Sequence, residues 1–463
     1  MPHIHDIEYT HLVRILRYAL EPTPTRIQEW ATVLSLAHVC GLWSDILDPF
    51  LMRTVIVSLS HSKSRSGLVY STNAHIIRSR NYHWHADTLC VEVEGDLPSA
   101  LFFDNLLNAL DSEACEWSGL RTLSVQIVAK SDPEYILESN ISINQQQYSD
   151  ISTHLQQKLA QCMPYIRRLS FKTQVIQSNC IANTLAKTYC HQLYSLKSQL
   201  PLSLPRSHFC SNLSHLTVVL DSSSRAVFLP PLRALPLQHL SLSNVPQMFS
   251  WDEFCDFEGY NLHFANLTHL SLSFCDEHEN HLDVSTQHNA AQPRNSTKQT
   301  LRYKLHFPKL LYLCISNCPP KSPLFNSQKY FAAVPKVVIN GPIASVSYAT
   351  DLGLHNHKSL SVHIAGAVQS QERILYRVSG YFFSQIAVEH RAALSLNIDF
   401  DCLDISSIRW TNLTLLVVSS VFKVDCLLHL MFALPNLTDL AAYRLDVNLY
   451  SLFVNHDFSD DMN

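Results

Sequence analysis

Asn212-Leu213-Ser-His-Leu216-Thr-Val218, Asn266-Leu267-Thr-His-Leu270-Ser-Leu272, Asn412-Leu413-Thr-Leu-Leu416-Val-Val418 and Asn436-Leu437-Thr-Asp-Leu440 are copies of one phrase, and reading it decides the fold. Without its asparagine the phrase is apolar-x-x-apolar-x-apolar. It recurs as Leu120-Arg-Thr-Leu123-Ser-Val125, Ile166-Arg-Arg-Leu169-Ser-Phe171, Leu237-Gln-His-Leu240-Ser-Leu242, Leu310-Leu-Tyr-Leu313-Cys-Ile315 and Val334-Pro-Lys-Val337-Val-Ile339, with weaker copies centred on Leu360 and Leu394. The central residues stand at 123, 169, 216, 240, 270, 313, 337, 360, 394, 416 and 440, so several successive spacings fall at 22 to 24. The spacings of 46 and 47 read as double steps. Asn140 and Asn295 complete the set of Asn-x-Ser/Thr sequons, but the four that open the phrase are by-products of the repeat rather than glycosylation signals.

In x-Leu-x-apolar, alternate residues face opposite ways when the backbone is extended, so the Leu and its partner turn inward while Ser, Thr and Cys turn outward. One such strand cannot bury its apolar face alone, and a period of roughly 20 to 29 residues is that of a leucine-rich repeat. The expected fold is therefore α/β: an irregular leucine-rich-repeat solenoid of parallel strands with returning helices. Ile151, Leu155, Leu159 and Cys162, stopping before Pro164, predict one such helix, and Phe102 to Leu110 predict another. An ordinary mixed α/β domain with parallel strands is the alternative. The array is expected over residues 87–452, with a projecting polar loop at 275–300 and an acidic tail at 453–463.

Composition narrows the function. Apolar residues at 46% and charged residues at 16% exclude a disordered chain. The net charge of −5 provides no global field for phosphates, so no nucleic-acid partner is expected. No apolar window is long enough for a membrane span, and MPHIHDIEYTHLVRIL lacks a signal-peptide pattern, so no membrane partner is expected. Thirteen cysteines without framework spacing read as buried free thiols of a reducing compartment, which implies the cytoplasm or nucleus.

Residues 1–57 differ from the rest. Leu12, Ile15, Leu16 and Ala19 mark one helix; Trp30, Val33, Leu34, Ala37 and Leu42 or Trp43 mark further turns, with Pro22 and Pro24 between. HLVRILRYAL and VLSLAHVCGLWSDILDPFLMRTVIVSL, above all Val39-Cys40-Gly-Leu-Trp43, resemble the F-box, and a helical module ahead of leucine-rich repeats resembles the order of the F-box/leucine-rich-repeat family. The resemblance implies a substrate-recognition subunit of an SCF-type E3 ubiquitin ligase. Its adaptor-binding surface would map to Leu12, Ile15, Leu16, Val39 and Trp43. Residues 58–86 form a basic and aromatic connector with Arg78, Arg80, Tyr82 and Trp84. The alternative is that the helices only cap the open edge of the array, within a leucine-rich scaffold that serves no ligase.

Outward strand residues such as Ser124, Thr217, Ser241 and Ser271 are the expected face for an unknown protein target. No catalytic residue, metal or cofactor is expected. Nine glycines leave no phosphate loop or nucleophile elbow. Cys275, His278 and His281 are ligand types that zinc accepts, yet structural zinc sites usually present two separated pairs.

Overall fold

The copies of the phrase become β-strands because their alternating apolar residues can share one buried face only on an extended backbone. The computed structural model describes residues 10–14, 27–38, 40–61, 68–94, 99–111, 116–128, 153–173, 179–200, 202, 211–220, 232, 235–246, 249, 262–275, 305–318, 331, 334–341, 359–364, 395–398, 415–423 and 435–446. The chain divides into two compact units, Met1–Leu235 and Pro236–Asn463.

In the first unit residues 10–14 are helical, followed by α1 (Ile27–Ala37) and α2 (Gly41–Leu51). Then come β1 (Thr54–His61), β2 (Leu68–Thr72), α3 (Ala74–Ser79), β3 (Thr88–Glu94), α4 (Ser99–Ala109), β4 (Thr122–Val128), α5 (Thr153–Cys162), β5 (Arg168–Thr173), α6 (Asn179–Tyr189), β6 (Ser195–Ser198) and β7 (His215–Val219). The sheet runs β2-β1-β3-β4-β5-β6-β7, parallel throughout except for the β1-β2 hairpin. Helices α4, α5 and α6 occupy the crossovers that parallel neighbours require, and α4 and α5 match the two helices predicted from sequence.

The second unit carries β8 (His239–Val245), β9 (Leu262–His263), β10 (His269–Phe274), β11 (Leu305–His306), β12 (Tyr312–Ser316), β13 (Lys336–Gly341), β14 (Ser359–Ile364), β15 (Ser395–Ile398), β16 (Leu415–Lys423) and β17 (Asp439–Asp446). Its main sheet follows β8-β10-β12-β13-β14-β15-β16-β17, every described pair parallel, while β9 and β11 make a second short ladder. No helix among the described residues is long and apolar enough to cross a membrane.

Register aligns the motif. Val55, Leu89, Leu123, Leu169, Leu196 and Leu216 stand opposite one another in turn. Leu240, Leu270, Leu313, Val337 and Leu360 do the same in the second unit, as do Leu396, Leu416 and Leu440. Three details differ from the spacing argument. The 47-residue step conceals a true intermediate, β6, whose Leu196 is followed by Ser198 where the pattern wants an apolar residue. The 46-residue step does not: β4 pairs directly with β5, so that step is one crossover lengthened by insertion. The weak copy near Leu394 is centred on Leu396 instead.

A backbone device repeats with the motif. The Arg121 carbonyl accepts the N–H groups of both Arg167 and Arg168, and Arg167 in turn accepts those of Tyr194 and Ser195. Gln238 and Thr268 do the same for Thr268 and His269 and for Leu311 and Tyr312. Each of these strand entries is thus hydrogen-bonded to the one before, which satisfies donors the ladder would otherwise leave bare. The inward side chains form the core: Leu89, Val91, Leu123, Val125, Leu169, Phe171, Leu216 and Val218 in the first unit, and Leu240, Leu242, Leu270, Leu272, Leu313, Ile315, Val337 and Ile339 in the second, are all buried. Ser198, also buried, bonds its hydroxyl to the Leu200 carbonyl at 2.8 Å. Beneath the second unit's strands, Phe264, Phe307 and Phe331 stack with centroids 5.5 and 5.6 Å apart.

Candidate functional site

The helical segment comes first in the chain. Ile46, Leu47 and Leu51 of α2 are buried, and Trp30 of α1 turns its indole inward, its Nε1 donating to the Leu51 carbonyl at 3.0 Å. The helical face thus formed packs toward β1, which begins at Thr54 inside the segment expected to be wholly helical. Leu12 is buried and Trp43 half-buried, with Leu42 beside it 41% exposed. Ile15, Leu16 and Val39 lie outside the described residues. Asp48, on the same helix, accepts from Ser44 Oγ at 3.1 Å and pairs with Arg80 from the connector.

The second candidate surface is the outward face of the strands. Ser124, Thr217, Ser241 and Ser271 all point there and are half-buried. Ser124 stands opposite Cys90 and Ser170, Thr217 opposite Lys197, and Ser241 opposite Ser271, itself opposite Cys314. These small residues form the floor of a row. The larger chemistry lies on either side of them.

In the second unit the residue just before each central Leu or Val makes a ladder: His239, His269, Tyr312 and Lys336 are opposite one another in register. The rings of His239 and His269 stack at 4.0 Å, Tyr312 lies 5.4 Å from His269, and the Lys336 ammonium sits 5.5 Å from the Tyr312 ring. Burial, and then the Lys336 charge, hold the His269 imidazole below its ordinary pKa. Burial, and then Cys314, push the Tyr312 phenol up. The ladder ends on the ammonium of Lys336. Further along the same face, Asn340 Nδ2 donates to Ser316 Oγ at 3.1 Å and to Cys314 Sγ at 3.5 Å.

In the first unit the outward positions of β5 and β6 are basic: Arg168, Lys172 and Lys197 are exposed around half-buried Ser170. Tyr194 and His215 meet at 4.9 Å beside them, and the Arg121 guanidinium lies over Tyr165 at 4.9 Å. Composition hid these groups because the whole chain is mildly acidic. The signal was present in the x positions of the phrase: Arg168 and His215, like His239, His269 and Lys336, each precede a central apolar residue.

Among the described residues no group of three or more His, Cys, Asp or Glu converges to hold a metal. Cys275 is half-buried at the end of β10, and its prospective partners His278 and His281 lie outside the described residues. The described cysteines are all free. Burial pushes the Cys90 thiol up to about 11 against the opposing pull of Lys172, and it pushes Cys318 up further. Such thiols are poor nucleophiles and poor ligands. No protein-family model matches the chain, and no curated protein matches it.

Proposed function

We propose that the protein is a non-catalytic, protein-binding adaptor, the substrate-recognition subunit of an SCF-type E3 ubiquitin ligase working in the cytoplasm or nucleus. Its N-terminal helices dock the ligase adaptor, and a divergent leucine-rich-repeat solenoid holds the target. One observation carries the reading: the central motif residues stand opposite one another strand after strand, in chain order, in parallel pairs. That is the pairing expected when each repeat buries its apolar face against the next, and it leaves an extended outward face for recognition. The mechanism is positioning, with chemistry supplied by partners.

A second reading has its own support. Trp30, Leu47 and Leu12 are buried and α1 packs toward β1, as a cap on the first strands would. A cap alone makes the protein a scaffold outside any ligase. Co-precipitation of the purified ligase adaptor with wild-type protein and with Trp43→Asp separates the two. The ligase reading expects capture by the wild type and loss in the variant; a folded wild type that captures no adaptor leaves the scaffold reading standing.

A further inference from the structure

The strongest unassigned chemistry is the basic strip on β5 and β6. Arg168, Ser170 and Lys172 alternate with the buried Leu169 and Phe171, so all three project outward, and Lys197 stands opposite Ser170 on the neighbouring strand. At about 3.3 Å per residue, Arg168 and Lys172 are about 13 Å apart along β5, with Lys197 midway and about 5 Å to the side. Along the strand axis the three cations therefore come at steps of about 6.6 Å, the spacing of alternate residues in an extended peptide. Among the described residues none of the three forms an ion pair.

We propose that this strip docks an extended acidic segment of a protein partner, one with carboxylates at alternate positions. It deepens the recognition role assigned above to the outward face, on which it rests; it does not depend on the ligase. Spread charge suits the strip better than a single compact anion, since three cations along 13 Å match three separate carboxylates, about one per step. A polynucleotide fits worse. The strip is only two strands wide, β7 continues it with His215, Thr217 and Val219, and β3, two strands away on the other side, presents Glu92 and Glu94. The half-buried hydroxyls of Ser170 and Ser124, opposite each other between the charges, supply hydrogen bonds at the floor.

The test is fluorescence anisotropy with the full chain and labelled peptides bearing glutamate at alternate positions, the same glutamates contiguous, or a single phosphoserine, together with a short labelled RNA. The alternating peptide is expected to bind tightest. The triple variant Arg168→Gln/Lys172→Gln/Lys197→Gln should bind it about tenfold more weakly, the sum of three screened charge pairs. Lys187→Gln, exposed on helix α6, should bind as the wild type does. Thermal melting checks the fold, and if the triple variant melts early the single Lys197→Gln is still expected to weaken binding about twofold. The proposal is overturned by a folded wild type that does not bind the peptide, by variants that bind it as well as the wild type, or by tighter binding of the phosphopeptide or RNA. Trp43→Asp should leave peptide binding unchanged, so failed adaptor capture counts against the ligase alone and failed peptide binding against the strip alone.

Discussion

Replacing Asn73 by alanine asks whether a side chain closes the open edge of β1. The β1-β2 pairing starts only at Val57, so Thr54 and Ile56 have no strand on that side. Asn73 takes the strand's place: its Oδ1 accepts the Ile56 N–H at 2.7 Å, its Nδ2 donates to the Thr54 carbonyl at 3.0 Å, and its own N–H donates to the Ile56 carbonyl at 3.3 Å. The residue is 0% exposed, so water cannot replace what the amide supplies. Truncation strands one buried N–H and one buried C=O, at about 1–3 kcal/mol each, for a total of roughly 2–6 kcal/mol. Urea unfolding followed by the fluorescence of Trp30 and Trp117, both buried in the first unit, reads that loss as a lower midpoint with an unchanged slope. Asn73→Asp should be no better than alanine, because it keeps the acceptor for Ile56 but buries a carboxylate against the Thr54 carbonyl. A loss below about 1 kcal/mol in Asn73→Ala would refute the argument that this edge depends on the amide.

Other outcomes follow from the packing. Gly119→Ala drives a Cβ onto the backbone carbonyls of Trp84 and Ala86, the latter at 2.5 Å, where nothing rotates away; a loss of about 3 kcal/mol or more by the same urea assay is expected, and normal stability would mean the loop moves aside. Leu270→Ala empties a fully buried position in the second unit and should cost about 2–5 kcal/mol, read as a lower urea midpoint. Native alkylation mapped by mass spectrometry should mark exposed Cys180 and spare Cys90, Cys162, Cys190 and Cys318 until the chain unfolds; rapid labelling of Cys90 in the folded protein would contradict its burial and its raised thiol pKa. Folding weakens proton binding at His269, so stability falls as the pH drops through about 6.5, the ordinary histidine value, and stays reduced below the folded pKa. His269→Phe should flatten that part of the melting-temperature profile, and an identical profile would assign the pH dependence to other groups.

Much of the architecture was legible because it rests on local alternation. Any stretch with Leu240 and Leu242 inward and Ser241 between them must be extended to bury the leucines, whatever surrounds it. Leu89 and Leu196 were harder to find, since the phrase of β3 opens on Ala86 where all but the weaker copies have Leu, Ile or Val, and β6 carries the buried Ser198 where an apolar residue is expected. β1 was masked by its neighbours, because Val55 and Val57 follow a helical segment without a break in hydrophobicity. Of the residues expected to contact an adaptor, Trp43 is half-buried and Leu12 buried, a distinction helical periodicity does not make, since it marks an apolar face without saying what covers it.

By itself the sequence determined that this chain is built from short strands with apolar residues inward and small polar residues outward, since side-chain alternation follows from the backbone alone. Only the tertiary structure decided which strand lies beside which. It made the 46-residue step a direct neighbour and the 47-residue step a skipped one, because pairing depends on where crossovers of unequal length return the chain. That choice of neighbours placed Lys197 opposite Ser170, between Arg168 and Lys172, and turned scattered basic residues of an acidic chain into one strip.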